Sequence, residues 1–196
     1  GLFGYHFLLF IALRYAPPVQ ANLVNYLWPL GIVLMAPLFL PGKRLRALHV
    51  GAAVVGFCGA ALAITSGGDG LGAMSAQYVW GYLCALGSAF LWSSYSLLTQ
   101  RVAPFPSSAI GLFALVSGLL ALLCHWLLEP AVALGLRDWG LVAAMGLGPL
   151  GAAFYLWDAA LKTGDARQIG LLSFITPLLS TSVLLGVNGQ IPDTRI

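Results

Sequence analysis

Apolar stretches of about 20 residues recur along the whole of this chain, and nothing else about it constrains the fold as much. Lipid offers no partner to an open sheet edge, so helices are the plausible spanning form. Of 196 residues, 60% are hydrophobic and 8% are charged, where soluble domains carry about 25% charged residues. A soluble fold this apolar would have little surface to show water. The chain reads as an all-α polytopic membrane protein.

Seven apolar segments can be traced: Leu2 to Leu13, Val19 to Leu40, Leu48 to Thr65, Tyr78 to Leu98, Ala109 to Leu128, Trp139 to Leu161 and Ile169 to Val187. The links between them are short, polar and alternate in charge. PGKRLR, TQRVAPFPSS and LKTGDARQ hold Lys43, Arg44, Arg46, Arg101, Lys162 and Arg167. RYAPPVQ, TSGGDGLGAMSAQ and EPAVALGLRD hold Arg14 and Arg137, beside Asp69, Glu129 and Asp138. The positive-inside rule assigns the first set to the cytoplasm. Topology thus explains the net charge of +3, which does not point to nucleic acid. Cys58, Cys84 and Cys124 fall inside apolar spans and read as small buried hydrophobes, not as disulfides or metal ligands. No Walker loop, metal-ligand spacing or GxSxG elbow is present. No cofactor and no enzymatic activity are expected.

The chain also repeats itself. FLLFIALRYAPPVQANLVNYLWPL, from Phe7, aligns without gaps on YLWDAALKTGDARQIGLLSFITPL, from Tyr155. The identities are Leu8/Leu156, Ala12/Ala160, Leu13/Leu161, Gln20/Gln168, Leu23/Leu171, Pro29/Pro177 and Leu30/Leu178, and Arg14 faces Lys162. The charge rule puts the Arg14 loop outside and the Lys162 loop inside, so the two copies are expected to have opposite topology. Inverted repeats build many secondary transporters, with the substrate site near the bilayer midplane between the copies.

ALRYAPPVQANLVNYLWPL, followed by a basic turn and GAAVVGFCGAALAI, resembles the EamA-type branch of the drug/metabolite transporter superfamily. WGYLCALGSAFLWSSYSLLTQR and GPLGAAFYLWDAALKTGDARQIGLLSFITPLLS extend the resemblance to about Leu185. Within that branch it is nearest to exporters of aromatic amino acids. The resemblance implies ten helices in two inverted halves of five, with both termini cytoplasmic. The seven spans here correspond to the third to ninth. Residues 1–68 then belong to the first repeat (helices three to five) and 77–188 to the second (helices six to nine). Helices one, two and ten are expected outside this chain, which reads as part of a longer protein. The ending GVNGQIPDTRI departs from the family pattern, and 189–196 reads as an atypical tail.

Several residues are awkward at membrane depth. Pro29 and Pro177 each remove a backbone donor, freeing the carbonyls of Asn25 and Ser173. They are either static kinks or paired hinges that expose carbonyls beside a substrate. Pro149, among Gly146, Gly148 and Gly151, marks a third candidate hinge. Asn22 shares a helical face with Asn25 and Tyr26, while Trp28 is expected to face elsewhere. Such polar groups either bond to neighbouring helices or line a wet pathway. Trp92 and Tyr95 share a face of the fourth span, beside Ser93 and Ser94. Tyr5, His6, Tyr155 and Trp157 complete the candidate substrate-binding set. Asp158 is the acid placed within a span: either an i,i+4 partner of Lys162 or a protonatable coupling group. His6 is the other coupling candidate.

The expected function is export of small metabolites by alternating access, across the inner (plasma) membrane of a bacterium. Aromatic amino acids lead as cargo by resemblance, and a monomer in the lipid bilayer is the expected state. Efflux of toxic organic cations by cation–π attraction and a non-transporting membrane scaffold or receptor are the alternatives.

Overall fold

The computed structural model describes residues 1–65, 76–102, 104–130 and 132–187. Among these residues the regular structure is helical: α1 (Leu2–Tyr15), α2 (Pro18–Asn25), α3 (Trp28–Phe39), α4 (Ala47–Thr65), α5 (Val79–Thr99), α6 (Ala109–Leu128), α7 (Leu136–Leu147), α8 (Ala153–Thr163), α9 (Ala166–Leu172) and α10 (Ile175–Val187). A 3₁₀ turn at Ala76–Tyr78 precedes α5. Among the described residues, three helical stretches are long and apolar enough to cross a membrane: Pro18–Phe39, Ala109–Leu128 and Leu136–Thr163. The tail at 189–196 lies outside the described residues.

The awkward prolines shape the second, sixth and seventh apolar segments. The second is split into α2 and α3, with Pro29 in the first turn of α3, where no amide is needed. The seventh is split into α9 and α10 at Ser173 and Phe174. Pro18 and Ala166 open α2 and α9 at the same aligned position of the sequence repeat. The sixth segment takes a different course. Around Pro149 it widens into a π turn at Gly148–Ala152 and continues as α8. This gives a widened helical turn rather than a break, of the rare single-turn kind found inside α-helices. Pro37 sits inside α3 without splitting it.

Helix α5 is the packing centre, and α1, α2 and α3 all lie against it. Its buried residues include Gly81, Ala85, Ser88, Ala89, Trp92, Ser93 and Ser96, a stripe at helical spacing. Small residues here let helices approach closely, as membrane packing favours. A Cβ on Gly81 would stand 2.5 Å from Ala16 Cβ and 2.9 Å from Ala16 N, so α5 can meet the end of α1 only through a glycine. Tyr82 Oη donates to Gln20 Oε1 at 2.7 Å, tying α2 to α5. Helices α6 and α7 are different: their leucines and valines are largely uncovered by protein, as suits a lipid-facing wall. Cys58 is exposed rather than buried, and the three cysteines are free thiols.

The Gly81 contact gives a direct test. Gly81→Ala should lower stability by about 1–3 kcal/mol through overpacking against backbone, seen as a lower midpoint in detergent thermal unfolding. Gly51→Ala, where a Cβ meets open space, should leave the midpoint unchanged.

Candidate substrate site

The break between α2 and α3 does what a continuous helix could not. It brings the rings of Tyr26 and Trp28 within 6.2 Å of each other, so the expectation that they face apart is corrected. From Trp28 the rings continue inward. Trp28 meets Trp157 edge-on at 5.4 Å and Trp92 edge-on at 6.3 Å. Trp92 in turn touches Tyr5 at 5.1 Å, Tyr95 at 5.5 Å, Phe154 at 5.5 Å and Trp157 at 5.8 Å. His6 reaches the group through Tyr5 at 4.9 Å and Phe154 at 5.7 Å. Side chains from α1, α3, α5 and α8 thus form one aromatic cluster. Edge-to-face and tilted contacts of this kind suit the ring quadrupoles.

Polar groups hold this cluster in register. Asn25 Nδ2 donates to Tyr5 Oη at 3.3 Å, and Ser88 Oγ donates to Asn25 Oδ1 at 2.7 Å. Trp157 Nε1 donates to Ser96 Oγ at 3.1 Å. His6 Nδ1 lies 2.9 Å from the Leu2 carbonyl. The helix breaks are bonded as well. Ser93 Oγ donates to the Trp28 carbonyl at 2.8 Å. Tyr26 Oη donates across to the Ser173 carbonyl at 2.9 Å, which also accepts from Thr176 N at 3.1 Å. That carbonyl, freed by Pro177, is therefore not open to a ligand in this conformation, because both of its lone pairs are taken.

Two of the expected lining residues stand apart. Asn22 is exposed, while Asn25 is buried, since α2 presents only one of them to α5. Tyr155 is 40% exposed, and its hydroxyl rests against Gly111 of α6. Its neighbour Phe154 takes the inward position that sequence reasoning missed. The signal was available: Phe154, Asp158 and Leu161 lie at helical spacing on the buried face of α8, and Tyr155 falls off that face. Ser88 and Ser96 were missed as well, because a serine mid-helix carries no pattern of its own.

Asp158 is almost fully buried. Its Oδ2 accepts from Lys162 Nζ at 2.6 Å and Ser107 Oγ at 2.7 Å. Lys162 Nζ also donates to the Phe105 carbonyl at 2.8 Å and lies 4.1 Å from the Phe105 ring centre. Oδ1 of Asp158 is buried with no hydrogen-bond partner among the described residues.

The two ends of the molecule differ. At one end the three basic loops gather. Lys43 Nζ and Arg167 Nη2 each lie 2.8 Å from Asp165 Oδ2, and Arg167 Nη1 donates to the Arg44 carbonyl at 3.1 Å. Gln100 Nε2 caps the end of α8 at the Leu161 and Gly164 carbonyls, 2.6 and 2.8 Å away. Beneath this network Leu40, Leu97, Leu161 and Ala166 pack together. Toward the opposite end a cavity of about 410 Å³ lies between α1 and α6, within the range of ligand pockets. Its lining runs from Leu2, His6 and Phe154, at the edge of the aromatic cluster, to Arg14 and Glu129.

The profile of the EamA-like transporter family matches residues 1–65 and 79–192. The chain belongs to this family. It is 46% identical over 185 residues to an aromatic amino acid exporter, YddG, of Ancylobacter novellus, covering 94% of this chain and 64% of that protein. It is 27% identical over 191 residues to the aromatic amino acid exporter YddG of Salmonella typhimurium, and covers 64% of it. It is also 27% identical over 192 residues to an uncharacterized inner membrane transporter, YhbE, of Escherichia coli, and covers 56% of that one. A solved crystal structure superimposes on 100% of this chain with a TM-score of 0.91 at 45% identity, and the chain covers 67% of it. The chain thus spans less than two thirds of the length of these named relatives.

Two measurements follow from the geometry. Tyr26→Phe removes the bond that joins the two broken helices, and should lower stability by about 1 kcal/mol, read as a lower thermal midpoint with membrane insertion unchanged. The second concerns the Asp165 network. Hydrogen bonds from Arg167, and then from Lys43, hold the Asp165 carboxyl well below the usual carboxylate range, against burial that pushes it up. A lowered folded value means that the stabilisation is present above the ordinary value of 3.8 and is lost as pH falls through the lowered one. Maleimide labelling of Ala166→Cys, expressed at each pH relative to a free thiol, should therefore stay slow from about pH 7 to about pH 5. It should become fast when Asp165→Asn is added.

Proposed function

We propose that this protein exports aromatic amino acids across a bacterial inner membrane by alternating access. The observation that carries the reading is the aromatic cluster of Tyr5, Trp28, Trp92, Tyr95, Phe154 and Trp157. It lies beside the break between α2 and α3, and Phe154 at its edge also lines the cavity between α1 and α6. Ring faces accept an aromatic side chain without demanding one hydrogen-bond pattern, while Asn25 and Tyr5 supply polar contacts at the same depth. Membership of a transporter family and likeness to proteins named as aromatic amino acid exporters support the choice of cargo.

The remaining architecture is part of the same proposal. The chain supplies helices three to nine of a ten-helix fold, 1–68 from the first repeat and 77–188 from the second, with 189–196 as a tail. The repeats are inverted. Support comes from the aligned starts of α2 and α9 and from the gathering of three basic loops at one end, which alternation with the Arg14 loop requires. The conformation is then closed toward the cytoplasm by the Asp165 network and open outward. Pro29 and Pro177 mark the hinges, and Pro149 a softer point. Asp158, with its unpartnered Oδ1, is the first coupling candidate and His6 the second. The working unit is a monomer.

The aromatic cluster itself disfavours efflux of organic cations, because its acid, Asp158, is neutralised by Lys162.

Exchange in liposomes tests the proposal, using the protein with any sequence that naturally flanks this chain. Release of preloaded tryptophan should be saturable and competed by phenylalanine and tyrosine. Asn25→Ala should slow it by about tenfold, the value of one lost buried hydrogen-bond pair, without lowering membrane insertion. Release that ignores these competitors, or that is unchanged by Asn25→Ala, would sink the assignment.

A further inference from the structure

The aromatic cluster is rich in rings and poor in charge. Its one carboxylate, Asp158, is already held by Lys162. An amino acid, however, brings both a carboxylate and an ammonium group, and each is costly to leave unmet in a site shielded from water. The cavity between α1 and α6 supplies what the cluster lacks.

Along this cavity α1 presents Phe3, His6, Phe7, Phe10 and Arg14, at spacings of three and four, so they share one face. Phe3 and Phe7 stack with centroids 5.5 Å apart at 27°. Arg14 lies eight residues beyond His6, or about 12 Å along the helix axis. Facing it are Cys124 and His125 of α6 and Glu129 just past its end. The charged side chains of the lining are Arg14 and Glu129, both at this one end. They do not pair with each other. Glu129 accepts His125 on Oε2, and Arg14 has no ion-pair partner among the described residues. A cation and an anion stand at the mouth of an aromatic-walled slot.

We propose that Arg14 and Glu129 form a head-group station for zwitterionic aromatic amino acids, separate from the inner aromatic cluster. The guanidinium fork takes the carboxylate, which suits its planar pair of donors. Glu129 takes the ammonium, and His125 steadies the Glu129 side chain through Oε2. The aromatic side chain lies along Phe7 and Phe10, pointing back toward His6 and the cluster. The station rests on the transport reading for its biological use, but its chemistry stands on this cavity alone. It selects for compounds that carry both head groups: an arylalkylamine can use only Glu129, and an arylalkanoate only Arg14.

Equilibrium binding to the detergent-purified protein, with any sequence that naturally flanks this chain, is the test. It needs no turnover. The probes are labelled tryptophan, tryptamine and indole-3-propionate, on wild type, Arg14→Gln, Arg14→Lys and Glu129→Gln. All four should show the same thermal unfolding midpoint, since both positions are exposed. Arg14→Gln should weaken tryptophan and indole-3-propionate by about tenfold, the loss of one charge-assisted contact, and leave tryptamine unchanged. Arg14→Lys should recover part of that loss. Glu129→Gln should weaken tryptophan and tryptamine and spare indole-3-propionate. Equal effects on all three probes, no effect on any, or no binding of tryptophan by the wild type would each overturn the station. Loss of liposome exchange with these binding differences intact would instead count against the transport reading and leave the station standing.

Discussion

A proline that breaks a helix in lipid creates a debt that water cannot settle. The freed carbonyl must find another donor within the protein. This chain has two such breaks, and a side chain from the first meets the carbonyl freed at the second. Tyr26, at the first break, reaches the Ser173 carbonyl at the second. Ser93 of α5 reaches the Trp28 carbonyl just after the first. Gly170 lets α9 lie close to α3, with a would-be Cβ 3.3 Å from Ile32 Cγ2 and 3.4 Å from the Pro29 carbonyl. The two broken helices are thereby held against each other at their weakest points, and everything central in the structure is placed relative to that contact.

The aromatic cluster depends on the same breaks. In an unbroken helix, positions two apart point to different sides. The turn at Tyr26 and Leu27 removes that restriction, and Trp28 swings toward Trp92 and Trp157. Rings from four helices then meet at one depth. Because aromatic contacts are weak individually and tolerant in angle, such a cluster is less tightly specified than a jigsaw of branched aliphatic side chains. Polar fixings at Asn25, Ser88 and Ser96 limit how far the rings can drift.

Charge is divided by depth and by end. Within the span, Asp158 and Lys162 neutralise each other. At the end with the basic loops, Asp165 draws Lys43 and Arg167 into one network, which ties the loop after α3 to the start of α9. At the other end Arg14 and Glu129 remain apart across a cavity. One end is thus joined by ion pairs, while the other holds unlike charges that have not met.

Sequence by itself determined the helical class, the position of the breaks and the sidedness of charge. These follow from local rules: the length of apolar runs, the missing amide of proline, and the count of basic residues in short loops. It also indicated most of the ring cluster, because tryptophan and tyrosine at mid-span stand out against leucine and valine. Only the tertiary structure decided which rings meet. Phe154 rather than Tyr155 faces inward, because the orientation of α8 against α5 and α6 sets which face is buried. Trp28 joins Tyr26, because the break rotates one half-helix against the other. Pro149 makes a π turn where Pro29 makes a break, although both are prolines among apolar residues. The partner helices choose between these outcomes, and their choice rests on packing between segments far apart in the chain, which no local pattern encodes.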